Sequence, residues 1–254
     1  MLNTYRFILA LHIVAGLIGL LAFWTPALAR KGGATHVRSG RVFFWCTCAI
    51  AATGLLMAAL LLGAPLAVHP PRRAVSAERA AIIAREIRLT APFLFYLVLI
   101  TFAPVYHGVR VLATRRAPDQ LRTPFHTIVH LTTIAASAGM LVLAFSTGRV
   151  LFGALSPIGF LIGLGNFGFA RKPYPTPMTW WYEHMNSMLG GGIAFHTAFF
   201  VLGAGRLLGI SMDGWGVLPW LLPTIVGVPA SAIWTSYYRR KFGEDKRVAA
   251  VVTT

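Results

Sequence analysis

The chain has 254 residues, of which 56% are hydrophobic and only 12% are charged, and its mean hydropathy is +0.67. A soluble domain carries about 25% charged residues to solvate its surface, so these values exclude an ordinary soluble protein. They also exclude a disordered chain, a collagen, a coiled coil and a disulfide-stapled secreted fold. The sequence therefore predicts a polytopic membrane protein, with lipid as the solvent for most of its surface.

Basic residues outnumber acidic residues by 23 to 7, which gives a formal net charge of +16. In a soluble protein this balance would suggest nucleic acid as a partner. Here the basic residues fall in short connections between apolar runs, so we expect anionic lipid headgroups and no nucleic acid. Other membrane subunits are a further class of partner that the sequence leaves open.

Seven apolar runs of about 20 residues are each long enough to cross about 30 Å of hydrocarbon. They are Phe7–Ala29, Val42–Gly63, Pro92–Leu112, His126–Thr147, Val150–Ala170, His184–Leu207 and Trp215–Tyr238. The first run resembles a secretory signal peptide, but its length favours a retained span. We therefore expect an all-α bundle of seven transmembrane helices that forms a single domain over residues 1–254.

The basic residues also predict how the chain is oriented in the membrane. Eight of the 23 lie on the side of the N-terminus and fifteen lie on the opposite side. Cytoplasmic loops carry the excess of Lys and Arg, so we expect the N-terminus outside and the C-terminus in the cytoplasm. The pattern is typical of a multi-pass protein of a bacterial inner membrane.

The longest connection, residues 69–91, predicts a short helix of its own between the second and third spans. Ser76 can cap this helix, and Glu78 lies in its first turn. Apolar and basic residues then fall largely on different faces, which is typical of an amphipathic helix lying on the outer leaflet. A lid over a substrate is the alternative interpretation.

Histidines are the most informative residues, because ionisable side chains are costly inside a membrane and default to functional candidates. Six of the eight fall within or at the ends of spans: His12, His107, His126, His130, His184 and His196. In the fourth span, His126, His130, Thr133 and Ser137 have the spacing of one helical face. We expect this stripe to face the bundle, with His130 in reach of His107 or His184.

Two kinds of cofactor site follow from the depths of these histidines. Two histidines from different helices can hold a b-type haem, which predicts one pair of His12 with His196 and another of His107 with His130. Alternatively, a zinc or iron site forms near the cytoplasmic face. Its predicted ligands are His107, His126, His130, His184 and Glu183. Hydrogen bonding between helices, with no cofactor, is the third interpretation.

The segment Gly163-Leu-Gly-Asn-Phe-Gly168 matches the GxGxxG pattern of dinucleotide-binding proteins. It lies inside an apolar run with no preceding strand, so that function is not expected. With Gly159, it is better interpreted as a stripe of small residues that lets a neighbouring helix approach closely.

Three short motifs carry a resemblance to known proteins: His12 with Gly16, the turn His36-Val-Arg-Ser-Gly-Arg41, and His184-Met-Asn-Ser-Met188. Together they resemble a family of uncharacterised bacterial polytopic membrane proteins, with a histidine in the first span and an H-R-x-x-G-R-type first cytoplasmic turn. The general layout is also similar to b561-like membrane cytochromes. The resemblance implies a seven-span fold and candidate residues His12, His36 and His184, and it implies no established reaction.

The leading hypothesis is a membrane-embedded haem- or metal-binding protein, redox-linked, whose ligands are inward-facing histidines of several spans. The alternative is a transporter or accessory subunit with a histidine-lined polar path and no chemistry of its own. The sequence assigns no catalytic residue and leaves open whether the protein is an enzyme.

Overall fold

The structure, a computed structural model, describes residues 1–204 and 215–244, which contain helices and no strand. The helices are α1 Leu2–Leu28, α2 Ala34–Gly63, α3 Pro65–Val68, α4 Ala77–Ala113, α5 Pro124–Thr147, α6 Val150–Phe169, α7 Thr179–Ala198 and α8 Leu218–Lys241. A 3₁₀ turn spans Pro118–Leu121, and the π-helical segment Phe199–Ala204 extends α7. Within these ranges, all helices except the four-residue α3 and the short turns are long and apolar enough to span a membrane. The all-α seven-helix bundle is thus confirmed, and the chain is a multi-pass membrane protein.

The third span differs from its prediction, because α4 is a single helix of 37 residues. Ser76 does cap it, accepting a hydrogen bond from the backbone N–H of Arg79 at 3.2 Å. The helix then continues through Pro92, so the separate interfacial helix predicted over residues 69–91 is wrong. No glycine or proline interrupts the chain between Ser76 and Pro92, and Pro92 itself, which lacks a backbone N–H, lies inside the helix without ending it. The predicted end of the sixth span, Leu207, lies outside the described residues.

The first turns of α4 extend beyond the bilayer, because 37 residues rise about 55 Å and the hydrocarbon is about 30 Å thick. Two polar contacts hold this extension. Glu86 forms an ion pair with Arg149 at the start of α6, and Arg88 Nε donates to the carbonyl of Leu62 at 3.0 Å.

Helix α4 is the centre of the bundle and packs against α2, α5, α6 and α7. Its fully buried Tyr96 belongs to an apolar cluster with Phe93, Met140 and Phe152. The Tyr96 hydroxyl donates to the carbonyl of Leu155 at 2.6 Å and accepts from the N–H of Gly159 at 3.0 Å. These two α6 groups are four residues apart, so the hydroxyl ties α4 directly to the α6 backbone.

Small residues allow the closest helix approaches. A Cβ at Gly192 would lie 2.1 Å from the Phe23 ring of α1, and a Cβ at Gly163 would lie 3.0 Å from the carbonyl oxygen of His130. The second contact fits the predicted stripe of small residues on α6. It also brings the α6 backbone against the histidine-bearing turn of α5.

Candidate metal centre

Three imidazoles meet where the C-terminal part of α4 contacts the first turns of α5. Helix α5 begins with a capping residue, Thr123, whose hydroxyl accepts from the His126 N–H at 3.2 Å, and with Pro124 at its first position. This start places His126 and His130 one turn apart on the face towards α4. There they meet His107, and all three side chains have 0% exposure.

The three residues form a compact group. One ring nitrogen from each of His107, His126 and His130 can be chosen so that all three atoms lie within 4.8 Å of one another. His107 Nδ1 lies 2.9 Å from His126 Nε2. The His130 ring centroid lies 4.3 Å from that of His126 and 5.5 Å from that of His107. Neutral imidazole nitrogens at this spacing are ligands that zinc and iron accept.

A carboxylate orients one of the three rings. Glu183, near the start of α7, places Oε1 3.0 Å from His107 Nε2, and its side chain is 25% exposed. An ionised carboxylate only accepts hydrogen bonds, so Nε2 of His107 carries the proton and donates it. The lone pair of neutral His107 is therefore on Nδ1, which points towards the other two histidines.

Several nitrogens of the group have no hydrogen-bond partner among the described residues. They are His126 Nδ1 and both ring nitrogens of His130. A buried polar group without a partner costs about 1–3 kcal/mol in proteins. A bundle that buries three such nitrogens together has a local polar deficit, and a bound cation would relieve it at one nitrogen of each ring.

Two further buried polar groups, one on α6 and one in the loop before α7, were not singled out from the sequence. Asn166 lies one turn beyond Gly163 on α6, and its Nδ2 is buried without a partner in the described part of the chain. The hydroxyl of Tyr174, in the loop before α7, is buried in the same way. Burial, together with the nearby Glu183 carboxylate, raises the pKa of Tyr174. Both residues follow stretches of small or loop-forming residues with no periodic polar pattern, so the sequence held no signal for them.

The polar stripe of α5 is buried as expected, since Thr133 and Ser137 also have 0% exposure. Above the histidines, however, its hydroxyls are satisfied by backbone. Thr133 donates to the carbonyl of Val129, and Ser137 donates to that of Thr133, both at 2.8 Å. The prediction that His126, His130, Thr133 and Ser137 face the bundle is confirmed. Of the two partners expected for His130, His107 is the one whose ring it meets.

His184 lies beside the group without joining it. Its Nδ1 lies 2.9 Å from the carbonyl oxygen of Gly108, to which it donates. His36, from the turn motif, has Nδ1 3.1 Å from the carbonyl oxygen of Pro26. Among the five predicted metal ligands, the structure thus gathers His107, His126 and His130, places Glu183 against His107, and directs Nδ1 of His184 to the backbone.

The structure does not bring His12 and His196 together as the predicted outer pair. His12 Nδ1 lies 2.8 Å from Thr53 Oγ1 on α2. Both ring nitrogens of His196 are engaged, with Trp24 Nε1 donating to Nε2 at 3.1 Å and Nδ1 donating to the Gly192 carbonyl at 2.7 Å. Trp24 is twelve residues after His12 on α1, about 18 Å along the axis, which accounts for the separation.

Comparison with known proteins finds no match for this chain among protein-family models, curated proteins or solved structures.

Proposed function

We propose that this protein is a membrane-embedded metal-binding protein in which His107, His126 and His130 bind one transition-metal ion, zinc or iron. The observation that carries the proposal is His130. It is completely buried, neither of its ring nitrogens has a described partner, and it touches two further imidazoles. A histidine that served only to join helices would have at least one hydrogen bond.

The contact between Glu183 and His107 supports the same function. Histidine ligands of metals commonly donate their second N–H to a carboxylate, which fixes the tautomer and makes the ligand more basic. Here Glu183 fixes the proton on Nε2 and leaves the lone pair of His107 on Nδ1, which faces Nε2 of His126. This carboxylate also supplies a negative charge close to the three neutral ligands.

Three nitrogen ligands leave a fourth position of a tetrahedral ion for water or a substrate. Zinc held in this way acts as a Lewis acid, and iron gives the site a redox role. Both roles suit the end of the bundle where α4 finishes and α7 begins. By the distribution of basic residues this end faces the cytoplasm, and we place the protein in the cell (inner) membrane.

The packing of the rings favours a single ion over a haem. Two axial histidines of a haem stand on opposite faces of the iron, each about 2 Å from it, with the porphyrin between them. His107 and His126 are in direct hydrogen-bond contact at 2.9 Å, and the His130 ring packs against both. The polar stripe of α5 likewise favours metal binding over a transport path, because the hydroxyls of Thr133 and Ser137 donate to carbonyls of their own helix.

The test is metal content of the full-length protein purified in detergent from cells supplied with zinc and iron. We expect about one equivalent of a single metal by inductively coupled plasma mass spectrometry, and no Soret band. His126→Leu and His130→Leu should each lose the metal while the protein stays monodisperse. His130 makes no described hydrogen bond that its replacement would break, and His126→Leu leaves only Nδ1 of His107 without its partner.

The matched control is His69→Leu, which removes an exposed histidine at the end of α3, in the connection that precedes α4. It should keep the full equivalent of metal. A metal-free wild-type protein, or equal metal loss in the His69 variant, would contradict the proposal. A Soret band that persists in the triad variants would instead favour haem at other residues.

A further inference from the structure

Helices α1 and α8 both pack on α7 but make few contacts with each other within the described residues. The gap between them is a groove of about 420 Å³ with α7 as its floor. Its lining is almost wholly apolar and includes Leu189 and Ile193 from α7, Phe23 from α1, and Leu222 and Val226 from α8. On α8 it extends from Leu222 to Trp234, which is about 18 Å. That length is close to the hydrocarbon depth of one leaflet, about 15 Å.

A second cavity, of about 520 Å³, adjoins the groove at the end of the bundle where α1 finishes and α8 finishes. The two share Ala27 and Trp234 in their linings, so they lie side by side. Among the described residues, the lining of this cavity includes three cations and no carboxylate. The cations are Arg30, Lys31 and Lys241.

Aromatic rings lie beside two of the three cations. Lys31 Nζ lies 5.8 Å from the centre of the Trp234 ring, and Lys241 Nζ lies 5.8 Å from that of Tyr238. Tryptophan and tyrosine concentrate at the level of lipid headgroups. The basic cavity is therefore at headgroup depth, and the groove runs from it into the hydrocarbon.

Lys31 is already positioned at the mouth of the groove. It donates to two carbonyls in the last turn of α1, those of Pro26 and Ala27, at 2.8 and 2.6 Å. Burial lowers the pKa of Lys31. An anion bound beside it would offset this cost of desolvation.

We propose that the basic cavity and the apolar groove together bind one anionic phospholipid, whose phosphate headgroup lies among Arg30, Lys31 and Lys241. One acyl chain lies between α1 and α8. The charge of the cavity selects an anionic headgroup, and the apolar groove directly beside it selects an amphiphile over a free anion. This site is separate from the histidine triad and does not depend on the proposed metal.

The test is thermal unfolding of the full-length protein in detergent with added phosphatidylglycerol, phosphatidylcholine or inorganic phosphate. A ligand that binds only the folded state raises the melting temperature in a saturable way. We expect a saturable rise with phosphatidylglycerol, and no comparable rise with phosphatidylcholine or phosphate. Phosphatidylglycerol should also be retained at one equivalent in native mass spectra.

Matched variants separate the two halves of the site. Arg30→Gln and Lys241→Gln should each weaken phosphatidylglycerol binding about fivefold, the effect of one lost basic residue near a headgroup. Lys172→Gln, which removes an exposed cation elsewhere, should leave it unchanged. Ala230→Trp fills the groove and should abolish binding, whereas Val228→Trp, outside the groove on the same helix, should not.

An equal response to phosphatidylcholine, or full reproduction of the effect by inorganic phosphate, would overturn the proposal. So would unchanged binding in the Arg30, Lys241 and Ala230 variants. Co-purification of a protein subunit that protects the groove and displaces the lipid would overturn it as well.

Discussion

The contact between Glu183 and His107 gives the sharpest quantitative prediction for the metal centre. Glu183→Gln keeps an oxygen that can accept from His107 Nε2, so the hydrogen bond and the tautomer are preserved while the negative charge is lost. The variant therefore isolates the electrostatic effect of the carboxylate on the ion. Glu183→Ala removes both the charge and the hydrogen bond.

The expected magnitude follows from the geometry. The 3.0 Å hydrogen bond, the width of the imidazole ring and a metal–nitrogen bond place the carboxylate about 7 Å from the ion. A charge of −1 and a charge of +2 at about 7 Å attract by about 5 kcal/mol at an effective dielectric constant of 20 and by about 1 kcal/mol in water. Glu183 is 25% exposed, so the lower half of that range applies.

We therefore expect Glu183→Gln to weaken metal binding about tenfold, and Glu183→Ala about 100-fold, the range typical of carboxylates that orient histidine ligands. The assay is competition for zinc against a chromogenic chelator, with the apoprotein in detergent. Glu86→Gln is the control, since it removes a carboxylate from α4, the helix that carries His107, about 31 Å from that histidine. If both Glu183 variants bind zinc within twofold of wild type, the assigned geometry is wrong.

Three further predictions concern the framework around the site. Tyr96→Phe should lower the free energy of unfolding by only about 1–2 kcal/mol, because the Leu155 carbonyl and the Gly159 N–H that it releases can bond to each other. A loss above about 4 kcal/mol, measured by steric-trap unfolding, would contradict this. Glu244 is 3% exposed and accepts from the Met178 N–H at 3.1 Å, so Glu244→Ala should destabilise the protein by about 2–3 kcal/mol. Thermal unfolding measures this, and an unchanged melting curve would refute a stabilising role for the contact. Gly163→Ala should push α6 away from the His130 carbonyl, and its loss of metal-binding free energy should exceed its loss of unfolding free energy. A larger loss in the unfolding assay than in the chelator assay would argue against the contact.

The sequence alone determined the class of fold, because runs of apolar residues long enough to cross a bilayer leave a chain few other structures. It also determined the inward face of α5. The spacing of His126, His130, Thr133 and Ser137 forms one stripe, and hydrocarbon penalises such a stripe wherever it faces lipid.

Only the tertiary structure decided which histidines meet. The depth of a residue along its own span does not give the tilt of that span or the identity of its neighbours. His12 and His196 were therefore predicted to pair because of their depths, whereas their helices bring them to Thr53 and Trp24, respectively. The length of α4 was likewise set by its packing, since a local pattern that suits a separate amphipathic helix also suits the end of a longer one. The positions of His107, His126 and His130 next to one another, and of Glu183 next to His107, depend on how α4, α5 and α7 cross. These crossings are fixed by contacts between residues far apart in the chain.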